Sequence, residues 1–407
     1  MYLHRTLERG ITEASAQFPV TLVTGPRQVG KTTLLRHLCG KARRYVSLDD
    51  LTLRALASED PTLFLQRYPP PVLIDEIQYA PALLPFIKVD VDDNRRPGAY
   101  WLTGSQHFRL MQGITESLAG RVAILNLLGF SHRERSSRDL AVSPFLPTEE
   151  QITARAGSAA ATDIAGVFRE IWNGSFPALL SGEVSDRELF YSSYLQTYVE
   201  RDIRDLAQVG DQTRFVRFLK ASAARTGQLL NYSDLARDAD ISVPTAKDWL
   251  SVLEASYQIH LIPPYYSNLT KRLVKAPKLY FLDTGFCSYL TDWTSPDTLS
   301  SGAMAGGMFE TWVLGELLKS WWHRKRTPNL YYYRDKDGRE IDFLFCQDNR
   351  FYPVEAKLGA TPRREWIRVF RTLDRLELAR DAGAVVCLCE DAYPLEERTV
   401  ALPVGYL

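Results

Sequence analysis

The sequence predicts a multidomain protein of the α/β class, and three observations lead there. Short apolar runs alternate with helical patterns through the first third of the chain. Gly25-Pro26-Arg27-Gln28-Val29-Gly30-Lys31-Thr32 stands between one such run and one such pattern, and a second mixed block begins near Ser267. At 407 residues the chain is also longer than one hydrophobic core usually fills, so two or three domains are expected.

Val20–Thr24, Tyr45–Leu48, Val72–Ile74, Tyr100–Thr103 and Val122–Leu127 are the expected strands of the first block, and their rhythm with helical patterns argues a parallel sheet flanked by helices. Ahead of them, Leu3, Leu7, Ile11 and Ala14 recur at helical spacing with no continuous apolar stretch, so Met1 to Ala16 reads as a helix rather than a signal peptide. From Arg133 to Asp163 the periodicity breaks into Ser, Ala, Pro and charged residues, as in a loop or linker. The blocks are drawn at 1–160, 161–266 and 267–407.

The middle block is helical in pattern and ends at Pro263-Pro264. Within it, Tyr232 to Glu254 reads as two short helices N-capped by Ser233 and Ser242, with Gln258–Ile262 as a following wing. That is a helix-turn-helix outline whose second helix would face a DNA groove. It carries Lys247 beside Asp248 and Glu254, too few cations for several phosphates, so packing or protein contact is an equal reading. The last block mixes strands at Leu279–Leu282, Ile341–Phe345, Val354–Leu358 and Ala384–Leu388 with helices from Met308 and Arg364.

Lys plus Arg equal Asp plus Glu at 49 each, so no net field holds the molecule on DNA or an anionic membrane, and a nucleic-acid surface must be a local patch. Two stretches offer one: Lys271-Arg272 with Lys275 and Lys278, and Trp321-Trp322-His323-Arg324-Lys325-Arg326; a solvated helix end is the alternative. No run reaches the length of a membrane span. The five cysteines form no CxxC pair and are odd in number, which suits neither a zinc site nor a disulfide framework and points to a reducing cytoplasm.

Gly25 to Thr32 matches GxxxxGK[ST] at every fixed position, after a strand and before the helical pattern Thr33–Leu38. Gly25 and Gly30 let the backbone curl so that the N–H groups of Pro26-flanking residues Arg27, Gln28 and Val29, with those of Lys31, Thr32 and Thr33, gather around phosphate oxygens at a helix N-terminus. Lys31 is expected on the β- and γ-phosphates of ATP and Thr32 on Mg²⁺. The acidic partner stands at the end of Pro71-Val72-Leu73-Ile74-Asp75-Glu76: Asp75 to orient the Mg²⁺ shell, Glu76 to position or deprotonate the attacking water. Ser105 or Gln106, after the run Tyr100–Thr103, is placed to sense the γ-phosphate, a plain turn being the alternative. Arg121 is a candidate charge stabiliser from its own or a neighbouring subunit, a surface salt bridge the alternative.

With these residues the sequence resembles the AAA+-like ATPases of bacteria and archaea in which such a module is joined to a C-terminal domain of unassigned function. The resembling segments are Gly25–Thr32, Ser47–Asp50, Leu73–Gln78, Leu102–Gln106, Ser117–Arg121, Gly174–Pro177, Tyr194–Asp202, Lys278–Gly285 and Gly307–Glu310. The resemblance implies an ATPase core, a helical region with a winged-helix segment, and a C-terminal α/β domain similar to the PD-(D/E)xK, restriction-endonuclease-like fold. It also implies homo-oligomeric assembly.

In the last block, Arg339–Phe345 and Tyr352–Leu358 read as two arms of a hairpin. Alternation puts Ile341, Phe343, Phe345, Val354, Ala356 and Leu358 on the core side and gathers Asp342, Glu355 and Lys357 opposite. Two carboxylates a strand apart can bind Mg²⁺ or Mn²⁺, and the lysine can stabilise developing charge in phosphodiester attack; a solvent-facing Glu-Lys pair is the plain alternative. Glu310 interrupts the helical stripe Phe309, Val313, Leu314, Leu317, Leu318 and Trp321, where an unpaired carboxylate would be costly, so a metal or a buried cation is expected beside it. The expectation is an ATPase whose nucleotide state controls a metal-dependent nuclease-like domain acting on DNA. The alternative is an ATP-switched interaction protein that binds protein or nucleic acid without cleavage. A nucleotide kinase is a third class, but no lid or acceptor pattern accompanies the P-loop.

Overall fold

Residues 2–41, 43–105, 114, 117–157, 162–198, 212–266, 275–376 and 378–407 are described by the computed structural model. They divide into two compact units. The first holds Met1–Phe130 with the short returns Ala255–Tyr257 and Trp322–Lys325; the second holds the rest.

The first unit is built on the five expected strands: β1 Val20–Thr24, β2 Arg44–Ser47, β3 Val72–Asp75, β4 Tyr100–Gly104 and β5 Val122–Asn126. They pair in parallel in the order β2-β3-β4-β1-β5, which places the N-terminal strand inside the sheet. β1, β3 and β4 are buried along their whole length, as continuous apolar runs covered on both faces require. The N-terminal helix runs Leu7–Ser15 and buries Leu7, Ile11 and Ala14, three of the four positions expected from the spacing.

In the second unit, residues 133–157 of the stretch with linker composition are packed structure, while 158–161 of it lie outside the described residues. This stretch holds the helices His132–Arg135 and Glu149–Ala156, and buries Phe145 and Arg155, whose guanidinium donates to the carbonyls of Ser143, Tyr406 and Leu407. Composition misleads here because one buried arginine gathers carbonyls that a run of apolar residues would otherwise leave exposed.

The two helices of the middle block are present as Tyr232–Ala239 and Val243–Ala255. The first is capped by Asn231 rather than Ser233, its carboxamide accepting from Ser233 N and Asp234 N; Ser242 accepts from Thr245 N as expected. They are framed by a small antiparallel sheet of β6 Gln228–Leu229, β7 Ile259–Ile262 and β8 Lys278–Phe281, with β8 central. The strand expected near Leu279, placed in the last block, thus pairs with β6 and β7 of the middle block.

The later strands are β9 Leu330–Arg334, β10 Glu340–Gln347, β11 Arg350–Lys357, β12 Gly383–Cys387, β13 Tyr393–Glu396 and β14 Thr399–Pro403, in the mixed order β13-β14-β12-β11-β10-β9. The β10–β11 hairpin turns on Asp348 and Asn349, both at positive φ, as a two-residue turn matched to strand twist demands. β11 ends at Lys357, so Leu358 is 39% exposed instead of core-facing. The helix Ala305–Trp322 carries Glu310. Among the described residues no helix is long and apolar enough to cross a membrane.

Two of the resembling segments meet in one knot. Asp283 caps the helix Thr284–Leu290 by accepting from Phe286 N, and its other oxygen accepts from Ser175 N and Oγ at 2.7 Å each. Gly174 (φ +76°) passes so close that an added Cβ would lie 2.2 Å from the Tyr191 hydroxyl, whereas Gly182 (φ +73°) faces open space. Both glycines need positive φ, but only Gly174 also needs the missing side chain. Gly182→Ala is expected to cost about 1 kcal/mol from backbone strain alone, and Gly174→Ala at least about 2 kcal/mol more from overpacking, read as the drop in melting temperature of each variant.

Candidate functional site

The loop after β1 is shaped before any ligand arrives. Gly25, Gln28 and Gly30 all take positive φ, and a Cβ at Gly25 would lie 2.0 Å from the Leu127 carbonyl, so only glycine lets β1 leave the sheet beside β5. Gly30 then caps the helix Lys31–Cys39. Arg5, buried below the loop, donates to Val29 O at 3.0 Å and to Leu128 O at 2.6 Å, which pins the loop to the end of β5. Lys31 is buried and its ammonium donates to Gly25 O (3.0 Å) and Pro26 O (2.7 Å), the carbonyls of its own loop. Val29 is buried, Arg27 half-buried, and Gln28 and Thr33 exposed.

Asp75 ends β3 beside this loop and is the hub of its polar network. It accepts from Thr32 Oγ1 at 2.9 and 3.0 Å and from the Tyr45 hydroxyl at 3.0 Å, and Thr103 Oγ1 also donates to it. Burial and the Asp75 charge push the Tyr45 phenol up, so it stays a donor. Glu76 follows at φ +56°, its N–H donating to Thr103 Oγ1 and its carboxylate accepting from Gln78. Ser105 stands just past the end of β4 with its buried Oγ unpartnered among the described residues, which fits a position that meets a ligand. Gln106 lies outside the described residues. Arg121 precedes β5, whose Val122 pairs with Val20 at the start of β1, so it lies at the sheet edge away from the loop, separated by about 17 Å of strand. There it grips Asp92 at 2.5 and 3.0 Å, the salt bridge that was its alternative reading.

The second cluster forms where β8, β10, β11 and the helix Ala305–Trp322 meet. Phe343 pairs with Val354, so Asp342 and Glu355 lie opposite each other. Their side chains lock the strands crosswise: Asp342 accepts from Ala356 N at 3.0 Å and Glu355 from Asp342 N at 3.3 Å. The Lys357 ammonium reaches both carboxylates, 3.4 Å from Asp342. Asp342 and Glu355 are 6% and 1% exposed, which removes the solvent-facing alternative.

Beside Glu310 the buried cation is Lys278. Its ammonium, 3% exposed, lies 2.7 Å from Glu310, 2.6 Å from Glu340 and 3.9 Å from Asp342; the Tyr280 hydroxyl adds a 2.5 Å bond to Glu310. Lys278 was read from sequence as part of a surface basic stretch, and Glu340 and Tyr280 were not singled out. Alternation along β8 and β10 carried the signal, since Lys278 and Tyr280 share one face, as do Glu340 and Asp342. Of the other basic residues, Lys271 and Arg272 lie outside the described residues, while Trp321, Trp322 and His323 are buried and not offered to bases.

The electrostatics follow from four carboxylates, Glu310, Glu340, Asp342 and Glu355, meeting two ammonium groups, Lys278 and Lys357. Burial pulls both lysines down, but the acids around them more than compensate and hold them charged. Burial and the Asp342 charge push Glu310 up to about 7 and Glu355 well above the carboxylate range. Glu310, Asp342 and Glu355 do not bring ligand atoms within 4.8 Å of one another; among the described residues that spacing is met by His4, Glu8 and His37 at the surface of the first unit. A divalent ion here would therefore rest on Asp342 and Glu355, with Glu310 committed to Lys278.

Comparison with known proteins matches an AAA domain over residues 17–136, a domain of unknown function (DUF8612) over 165–297 and another (DUF4143) over 305–407. The uncharacterized proteins Rv2008c of Mycobacterium tuberculosis and Mb2031c of Mycobacterium bovis are each 31% identical over 394 residues, covering 96% of this chain and 81% of the relative. Among solved structures, the Walker-type ATPase PABY2304 of Pyrococcus abyssi covers 70% of this chain and 94% of its own at 16% identity and a TM-score of 0.44. The RuvB Holliday junction branch migration motor of Thermotoga maritima covers 63% and 87% at 15% identity and a TM-score of 0.31. Likeness at that level says nothing of function.

Glu310 makes a pH prediction. Its folded pKa, about 7, lies above its ordinary 4.5, so between these values the folded state holds a proton that the unfolded chain has lost. Its contribution to stability is full below about pH 4.5 and is lost as pH rises through about 7, on the order of 3 kcal/mol. Thermal melts from pH 5 to 8 should therefore show falling stability, with a shallower slope in Glu310→Gln; equal slopes would refute the assignment.

Proposed function

We propose that this chain, which belongs to the same family as the two mycobacterial proteins, carries an AAA domain and is an ATPase, uses its nucleotide state to control a metal-dependent, nuclease-like C-terminal domain acting on DNA. On this reading residues 1–160 are the ATPase part, 161–266 a helical part with a winged-helix segment, and 267–407 a restriction-endonuclease-like part.

In the ATPase site, Lys31 exchanges the carbonyls of Gly25 and Pro26 for the β- and γ-phosphate oxygens, which costs little because its cation is already buried and saturated. Thr32 and Asp75 are the pair that would hold Mg²⁺, which supplies charge neutralisation on the phosphates. Glu76 serves as the base for water, and releasing it from Gln78 is the adjustment that ATP binding must bring about. Ser105 senses the γ-phosphate. Arg121 can act only on a neighbouring subunit's nucleotide, given its place on the sheet, which keeps a homo-oligomer in the proposal.

The nuclease-like reading is carried by one observation: Asp342 and Glu355 face each other on a buried hairpin with Lys357 on both. A Mg²⁺ or Mn²⁺ ion held by Asp342 and Glu355 would supply Lewis acidity to a phosphodiester, and Lys357 stands ready to stabilise the charge that develops. The rival reading, an ATP-switched interaction protein, is favoured by Lys278 and Arg334, which already pair with Glu310 and Glu340 without any metal ion.

Lys31→Ala should abolish measurable ATP turnover, and Glu76→Gln should lower kcat by about 10²- to 10⁴-fold with nucleotide binding retained. Labelled single- and double-stranded DNA incubated with Mg²⁺ or Mn²⁺, with and without ATP, should be cut by the wild type and not by Glu355→Ala. No cutting by the wild type under any of these conditions would leave the interaction-switch reading.

A further inference from the structure

A groove of about 740 Å³ opens in the second unit, reaching the carboxylate cluster through the contact of Arg334 with Glu340, and its lining combines aromatic rings with cations: Tyr266 and Tyr333, with Lys275, Arg334 and Lys336. We propose that this groove binds single-stranded DNA and leads it to Asp342 and Glu355. The inference deepens the nuclease-like reading and rests on it for its purpose, though not for the binding itself.

The groove has a rigid wall. β9 is the edge strand of the six-stranded sheet, and the chain at 263–265 runs along it, Tyr332 N donating to Pro263 O and Tyr265 N to Tyr332 O. The Tyr332 hydroxyl donates to Ala276 O at 2.6 Å, fixing the far side where Lys275 stands. Lys275, Arg334 and Lys336 are exposed, while Tyr266 and Tyr333 are half-buried. The lining acid, Asp335, does not cancel these cations: it accepts from Asp337 N and Arg339 N and lies 3.5 Å from the Arg339 guanidinium.

Groove and cluster are joined by side chains in contact. Arg334 lies 3.4 Å from Glu340, which lies 2.6 Å from Lys278, itself 3.9 Å from Asp342. A backbone phosphate held by Arg334 is thus placed three ion-pair contacts, through Glu340 and Lys278, from Asp342.

The choice of a single strand follows from the chemistry of the lining. Aromatic rings offer stacking only to bases that are unpaired, and interleaved cations track a flexible backbone. In a duplex the bases are already stacked, and only the cations would contribute.

The test is fluorescence anisotropy of labelled single-stranded DNA, duplex DNA and single-stranded RNA with the full chain in EDTA, so that no cleavage intervenes. The expected result is tightest binding of single-stranded DNA. Tyr266→Ala with Tyr333→Ala should weaken it by about tenfold or more, and Lys275→Glu with Lys336→Glu should make the dependence of log K on log salt shallower by about 1.4. Melting temperatures of both double variants establish that they are folded, and each pair tests the groove by itself. Duplex bound as tightly as single strand, RNA bound more tightly than DNA, no binding, or folded variants that bind like the wild type would overturn the proposal. Single-strand binding lost in these variants but no cutting with metal would overturn the nuclease-like reading alone; cutting by the wild type with binding untouched in the variants would overturn the groove alone.

Discussion

The ammonium of Lys278 is where three separate parts of the second unit are tied together. It comes from the small sheet of the middle block, and its partners come from the long helix, Glu310, and from the hairpin, Glu340 and Asp342. Removing one member of such a buried ion cluster strands the others without solvent, which typically costs about 3–5 kcal/mol. That penalty fixes the relation of β8 to β10 more tightly than apolar packing would, because apolar contacts tolerate sliding and a 2.6 Å ion pair does not. The hairpin's own crosswise bonds, Asp342 to Ala356 N and Glu355 to Asp342 N, then hold the two carboxylates at a set spacing.

The ATPase site uses the opposite arrangement, one carboxylate with several donors. Asp75 takes hydrogen bonds from Thr32, Tyr45 and Thr103, each from a different strand or helix, so the acid is aimed before nucleotide arrives. Lys31 is likewise held, by the loop it will leave. Both clusters thus settle their orientation through polar bonds to the protein rather than from a loose surface.

Where the sequence was readable, a local rule sufficed. Gly25 to Thr32 announced both loop and helix, and β1 agrees with its expected bounds because five buried β-favouring residues ending at a glycine leave little freedom. Asp342, Glu355 and Lys357 were gathered on one face by strand period alone, and the hairpin register bears that out. What escaped were facts of tertiary pairing. Lys278 looked like a surface cation among Lys271, Arg272 and Lys275 because nothing local distinguishes a lysine whose carboxylates lie 32 and 62 residues further on. Arg155 made a polar stretch look like a linker, and Arg121 lost its place near the phosphates once the parallel register put it at the far end of β5.

The unequal charges of the second cluster bear on what it is for. A structural ion cluster has no reason to keep more acids than cations, since each surplus charge raises the cost of burial. Here the surplus is one: four carboxylates face Lys278, Lys357 and the more exposed Arg334, and the cost is visible in Glu310 and Glu355, both pushed to hold protons. Lys278 settles the half of the cluster around Glu310 and Glu340. The half that remains, Asp342 and Glu355, shares the partly exposed Lys357 and meets Lys278 only at 3.9 Å, so one negative charge is left over. A proton or a cation would offset that surplus, and a cation, unlike a proton, would be drawn there at neutral pH without forcing a carboxylate out of its ordinary range. A site meant only to hold the fold together would be better served by replacing Glu355 with a neutral residue, and its presence opposite Asp342 is the strongest argument that the cluster handles something beyond its own stability.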